Sequence, residues 1–347
     1  MKIKVLLSFD HELPLGGLYK NYDEALFNPT KAIIDLANKL GVRINLFSDI
    51  LSAQFFKKNN DFEFCDGYLK QLHHALNTGH DVQLHIHPHW IKSSYIDGKY
   101  IPANFFKLAD YKDENYPLNI EGIIENGINY LTDICIKAKP SYKCIAYRAG
   151  GFNFEPETSR ILNSLLNNGI LIESSIVKGF YYKSKHSLIN FKNMPKQSNW
   201  YISPNEPINI PMNDGLFEIP IASKPAGLYT NITHIINKHL HKDRAFITGQ
   251  SIHSGKVNIL NKLKFVFSVR TLGFDVYTLS SADLINILDY NVKGIKNQEE
   301  IILSTVSHPR NMGPHSIKLM NDFINKAREK YSDIEFVSYT EIANQLK

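Results

Sequence analysis

Residues 80–90 read HDVQLHIHPHW. Residues 81–86 alternate apolar and polar positions and are expected to form a strand, on which side chains two apart point to one face. His85, His87 and His89 stand at every second position. Imidazole is the commonest protein ligand for metals, so this spacing points to a metal or catalytic site at a strand end. Pro88 ends the ladder and places His89 in the turn beyond it.

Outward from this stretch, strand and helix patterns alternate. Residues 2–9 (KIKVLLSF) read as a buried strand ending in the polar cluster Asp10-His11-Glu12. A helical pattern over 29–40 is stopped by Gly41, and 42–47 returns as a strand. A helix over 66–77, closed by Gly79, leads into the strand at 81–86. Helices at 120–138 and 155–168 then flank strands at 144–147 and 170–173. Later strands are expected at 216–221, 300–306 and 334–337, with helices at 231–241, 280–288, 314–331 and 339–346. Residues 258–268 have a mixed period. Strand–helix alternation of this kind marks a largely parallel sheet. The expected fold class is α/β, an irregular (β/α) barrel of about seven strands. It forms a single domain over 1–347 with an irregular, lid-like insertion at about 174–215.

Composition narrows the function. A hydrophobic fraction of 43% supports a sizeable core without staples. The formal charge of +5 comes from scattered lysines and arginines, with no basic run interleaved with aromatics, so nucleic acid is not an expected partner. Cys65, Cys135 and Cys144 form neither a CxxC pair nor a zinc-ribbon pattern and are expected as reduced packing residues. The N-terminal MKIKVLLSFD lacks the longer apolar segment of a signal peptide, and no stretch approaches a membrane span. A cytoplasmic protein is expected. No GxGxxG leads from a strand into a helix, and GxxxxGK[ST] does not occur.

Parallel barrels carry their chemistry at C-terminal strand ends. Four such ends are polar here: Asp10-His11-Glu12, the His85–His89 group, Arg148 followed by Gly150-Gly151, and Ser307-His308-Pro309-Arg310. Two histidines and one carboxylate can hold a divalent metal with positions left open. A second carboxylate can then serve as general base and another histidine as proton donor. This is the layout of metal-assisted hydrolysis.

SFDHE at 8–12, GHDVQLHIHPH at 79–89, YRAGG at 147–151 and STVSHP at 304–309 resemble, in order and spacing, the motifs of the polysaccharide deacetylases (NodB homology domain). The resemblance spans nearly the whole chain, and the second motif is its most specific part. It implies that His85 and His89 bind the metal, while His87 falls at a variable position and lines the pocket or packs. It implies Asp10 as general base, His308 as general acid and Arg148 as the residue orienting Asp10 through a bidentate contact. Two departures stand out. The usual adjacent aspartates are replaced by Asp10-His11-Glu12, so Glu12, two residues on and on the same strand face, is expected as third ligand with His11 its competitor. The family's Asp-Trp motif is absent, and Glu173-Ser174-Ser175 stands in a similar place. Trp90, Trp200 and Tyr201 are candidates for stacking on a sugar, and Gly150, His253 and His315 for lining the site.

The resemblance thus implies a metal-dependent deacetylase, with zinc the expected ion. Its substrate would be an acetylated amino sugar or oligosaccharide in polysaccharide or lipopolysaccharide metabolism. Two other classes remain in view. HxH-type phosphoesterases and amidohydrolases place HxH after the first strand, whereas here it follows the third. A non-catalytic carbohydrate-binding or scaffold protein on a decayed deacetylase fold would account for the altered first motif.

Overall fold

A run such as KIKVLLSF, apolar without alternation, is stable as a strand only when covered on both faces. That is where the computed structural model places it: β1 (Lys2–His11) is buried at every position after Lys2. The structure describes residues 1–17, 19–184, 187–240, 270–277, 279–295 and 298–346. His253 and the stretch 258–268 lie outside the described residues.

The chain continues with α1 (Asn28–Leu40), β2 (Ile44–Asp49), α2 (Ile50–Lys58), α3 (Phe62–Asn77) and β3 (Asp81–Ile86). Local chemistry sets these limits. Pro29 opens α1, and Gly41 closes it with φ of 59°, a left-handed conformation that suits glycine. The Asp61 side chain caps α3 by accepting from the Phe64 N–H at 3.2 Å. A small hairpin of β4 (Ser94–Ile96) and β5 (Lys99–Ile101) precedes α4 (Ile120–Cys135), β6 (Ala146–Ala149), α5 (Thr158–Asn167) and β7 (Ile172–Glu173). The stretch read as an irregular insertion holds short strands: β8 (Tyr181–Lys183) paired with β9 (Leu188–Asn190), then β10 (Trp200–Ile202). Next come β11 (Leu216–Glu218), β12 (Ser223–Ala226), α6 (Leu228–Leu240), β13 (Arg270–Gly273), α7 (Ser281–Lys293) and β14 (Glu300–Ser304). The last elements are α8 (Pro314–Lys330), β15 (Ile334–Phe336) and α9 (Tyr339–Ala343).

The main sheet has nine strands in the order β10-β11-β7-β6-β3-β2-β1-β14, with β15 also on β1. From β11 to β14 every pairing is parallel, while β10 is an antiparallel edge. The seven parallel strands on that path agree with the expected number. The sheet curls until Ile221, just past β11, bridges Ser304 on β14. Leu6, Phe47, Ile172, Ile219, Ile302 and Tyr339 cluster on one face of this sheet. The larger cluster, with Ile33, Leu72 and Ile124, packs helices against the other. Because the strands are parallel, their C-terminal ends all open on one rim, which brings residues far apart in sequence together.

Candidate active site

β1 ends at His11 and the chain runs on into Glu12, so alternation sends Asp10 and Glu12 to one side and His11 to the other. Asp10 and Glu12 are each only 2% exposed. β3 sends His85 to the same rim, and His87 follows in extended conformation. His85 Nε2 lies 3.2 Å from Glu12 Oε2 and 3.1 Å from His87 Nε2, and His87 Nε2 also meets Glu12 Oε2. These three ligand atoms lie within 4.8 Å of one another and could hold a metal ion.

The donor set fits a divalent cation. His85 Nδ1 hydrogen-bonds the Arg148 carbonyl at 2.8 Å, which requires the proton on Nδ1 and leaves the Nε2 lone pair facing Glu12 and His87. Burial lowers the pKa of His85 to about 4, despite the opposing pull of Asp10, and lowers that of His87 as well. Neutral imidazoles and a carboxylate oxygen facing one another repel unless a proton or cation lies between them. Behind the cluster, buried Asp49 at the end of β2 accepts from the His87 N–H at 3.2 Å and from Trp90 Nε1 at 2.5 Å. Gly150 closes the other side: a Cβ there would stand 2.4 Å from the Ile86 carbonyl oxygen and 2.7 Å from His87 Nδ1. Only glycine allows that approach.

The expected ligand residues are placed differently from one another. His89 does not join the cluster: residues Pro88–Lys92 form a 3₁₀ turn, which breaks the strand alternation after His87. His89 instead packs between Trp90 and Phe106, at ring separations of 4.8 and 5.6 Å, and among the described residues neither ring nitrogen has a hydrogen-bond partner. His87 takes the place on Glu12 that His89 was expected to fill. His11, the competitor of Glu12, faces α3, where its Nε2 meets Gln71 Oε1 at 2.7 Å. Trp90 is 1% exposed and packs in the core against Tyr100, so it offers no face to a sugar. Trp200 is likewise buried.

Arg148, from β6, is fully buried. Its Nη1 donates to Asp10 Oδ1 at 2.7 Å, while its Nη2 reaches Ser8 Oγ at 2.8 Å and Ser304 Oγ at 3.0 Å. The contact with Asp10 is therefore single rather than bidentate. In the Glu173-Ser174-Ser175 stretch, the Ser174 carbonyl accepts from Arg148 Nε at 2.8 Å. The guanidinium also lies over the Phe47 ring, 4.1 Å from its centroid. Burial pushes the Asp10 carboxyl up, but Arg148, His85 and His308 together outweigh it and hold the pKa at about 2. His308 stands past β14 with Nε2 3.6 Å from both Asp10 Oδ2 and Glu12 Oε1. Its side chain is 23% exposed, which puts it where the cleft opens. Burial lowers its pKa from the ordinary histidine value, against the pull of Asp10.

No protein-family model and no curated protein matches the sequence. Solved structures do. A putative polysaccharide deacetylase from Mycobacterium smegmatis superposes with a TM-score of 0.51 at 11% identity, over 99% of this chain and 90% of that one. The chain has the polysaccharide deacetylase fold. A 4-alpha-glucanotransferase from Thermococcus litoralis has a TM-score of 0.49 at 12% identity, over 99% of this chain and 40% of that one. Puue allantoinase has 0.48 at 12% identity, over 99% and 89%.

On this deacetylase fold the structure brings Asp10, Glu12, His85, His87, Arg148, Gly150 and His308 to one rim. It also brings two residues to which the sequence reading gave no role. Asp49 ends its strand as other site residues do, and that position was its signal. Arg310, two residues past His308, places Nη1 on Glu12 Oε1. Its sequence signal was its place in the same strand-end cluster.

Proposed function

We propose that the chain is a metal-dependent hydrolase that removes an acyl group, N-acetyl foremost, from an amino sugar in polysaccharide or lipopolysaccharide metabolism. Residues 1–347 would act as one catalytic unit. One observation carries this reading: a buried Glu-His-His cluster converges with an arginine-held aspartate and a rim histidine.

Glu12 Oε2, His85 Nε2 and His87 Nε2 would hold the ion, and zinc suits two imidazoles with one carboxylate. When bound, it supplies a Lewis acid that polarises the acyl carbonyl and makes water acidic enough for a weak base such as Asp10. Asp10 stays ionised because Arg148 occupies Oδ1, and Oδ2 is left to take a proton from the attacking water. His308 is neutral while waiting. Its Nε2, 3.6 Å from Asp10 Oδ2, is placed to pass that proton to the departing amine nitrogen. The C–N bond breaks with the water's proton on nitrogen, giving carboxylic acid and amine, which ionise to carboxylate and ammonium.

The test is acetate release by the metal-loaded protein from a panel of N-acetylated amino sugars, nucleotide sugars and oligosaccharides. The reading expects release that falls by about a hundredfold or more in Asp10→Asn and in His308→Gln. Sugar binding without release by the unaltered protein would favour a carbohydrate-binding role for this fold instead.

A further inference from the structure

The two oxygens of Glu12 face different neighbours. Oε2 looks toward His85 and His87, while Oε1 meets Arg310 Nη1 and lies 3.6 Å from His308 Nε2. Asp10 is divided in the same way, with Arg148 on Oδ1 and His308 facing Oδ2. Each carboxylate therefore has one oxygen against a guanidinium from another strand end and the other turned toward the chemistry.

The two arginines differ in their surroundings. Arg148 sits in a dense network that ties several strands together. Glu12 is the one ion-pair partner of Arg310 among the described residues, and the Arg310 side chain is only 16% exposed. Its turn, Pro309–Asn311, is pinned by the Asn311 N–H on the His308 carbonyl at 2.9 Å and by the fully buried Met312. Taking a guanidinium this far out of water is costly unless its partner compensates. A glutamate has three side-chain torsions, and freezing them before an ion arrives removes part of the entropic cost of binding it.

We propose that Arg310 is the positioning residue of Glu12: its guanidinium holds Oε1 so that Oε2 is presented to His85 and His87. This rests on reading those three residues as a metal centre. It has a competitor with the opposite sign. If the guanidinium merely stood in for the cation on Glu12, removing it would relieve competition and repulsion, and metal would bind more tightly.

Titration of the metal-free full chain with Co²⁺ and Zn²⁺ separates the two, using the unaltered protein, Arg310→Met, Arg310→Lys and His85→Ala. Positioning predicts about ten- to a hundredfold weaker binding in Arg310→Met, the range for losing an outer partner of a ligand. It also predicts a changed visible spectrum of bound Co²⁺ and partial recovery in Arg310→Lys, whose single amine replaces charge but not the fork. Equal or tighter binding in Arg310→Met overturns the proposal. Should Arg310→Met not fold, Arg310→Lys decides: weaker binding than the unaltered protein supports positioning, and unchanged binding overturns it. Failure of the underlying reading looks different, because the unaltered protein would then bind no ion, or His85→Ala would bind as well as it does.

Discussion

Pro88 separates two histidines that spacing alone treats as equivalent. As far as His87 the backbone is extended, with φ of −107° and ψ of 97°, and the alternation of side chains holds. From Pro88 the chain turns in a 3₁₀ helix, and His89 rotates into an aromatic pocket formed with Trp90 and Phe106. The consequence is measurable. On the proposed ligand set, His87→Ala should weaken metal binding by about tenfold or more, because it removes a ligand atom. His89→Phe, which keeps ring packing, should retain metal within a few-fold of the unaltered protein. Metal content by atomic emission after dialysis distinguishes them, and the opposite ranking would restore the ligand set that the motif resemblance implies. That resemblance located the cluster but chose His89 over His87, whereas the turn from Pro88 leaves His87 beside Glu12.

Two elements at the scale of strands show how the rim is held. Arg148 joins β1 through Asp10 and Ser8, the end of β7 through Ser174, and β14 through Ser304. Arg148→Ala would leave Asp10 buried without its counter-charge, at a cost of about 3–5 kcal/mol. A lowered denaturant midpoint would register it, whereas a change under 1 kcal/mol would mean that the serines and water compensate. Across the β7–β11 pairing, Glu173 and Glu218 stand opposite each other, both fully buried. Burial first, and the neighbouring Glu173 second, push the Glu218 pKa well above its ordinary 4.5. A folded-state pKa that is raised stabilises the protein at and below the unfolded value, and this contribution is lost as pH rises through the folded one. Glu218→Gln should therefore be more stable than the unaltered protein at pH 8, by about 1 kcal/mol or more. That advantage should shrink as pH falls toward 4.5. A gap that stays constant with pH would contradict the raised Glu218 pKa. Nothing in the sequence marked this pair, because two glutamates forty-five residues apart meet only through strand register.

For the whole molecule, the parallel sheet was legible because buried strands, helical periods and glycine stops recur in alternation. The rim was legible because each strand there ends in polar residues. Boundaries were less so. β6 reaches Ala149 and carries Arg148 within the strand, and α2 follows β2 with no breaker between Asp49 and Ile50 to announce it. The three-residue strands β8, β9 and β10 are too short to show a period. Among the described residues no helix is long and apolar enough to cross a membrane. The rim unites Glu12 with His85 and His87 across some seventy residues of sequence, and that union is the centre of this account. It is tested most directly by acetate release from N-acetylated amino sugars, measured with chelator-stripped protein before and after stoichiometric Zn²⁺ or Co²⁺, alongside Glu12→Gln. The account predicts activity that vanishes on stripping, returns with about one ion per chain, and fails to return in Glu12→Gln. Activity indifferent to the chelator, or restored equally in Glu12→Gln, would contradict it.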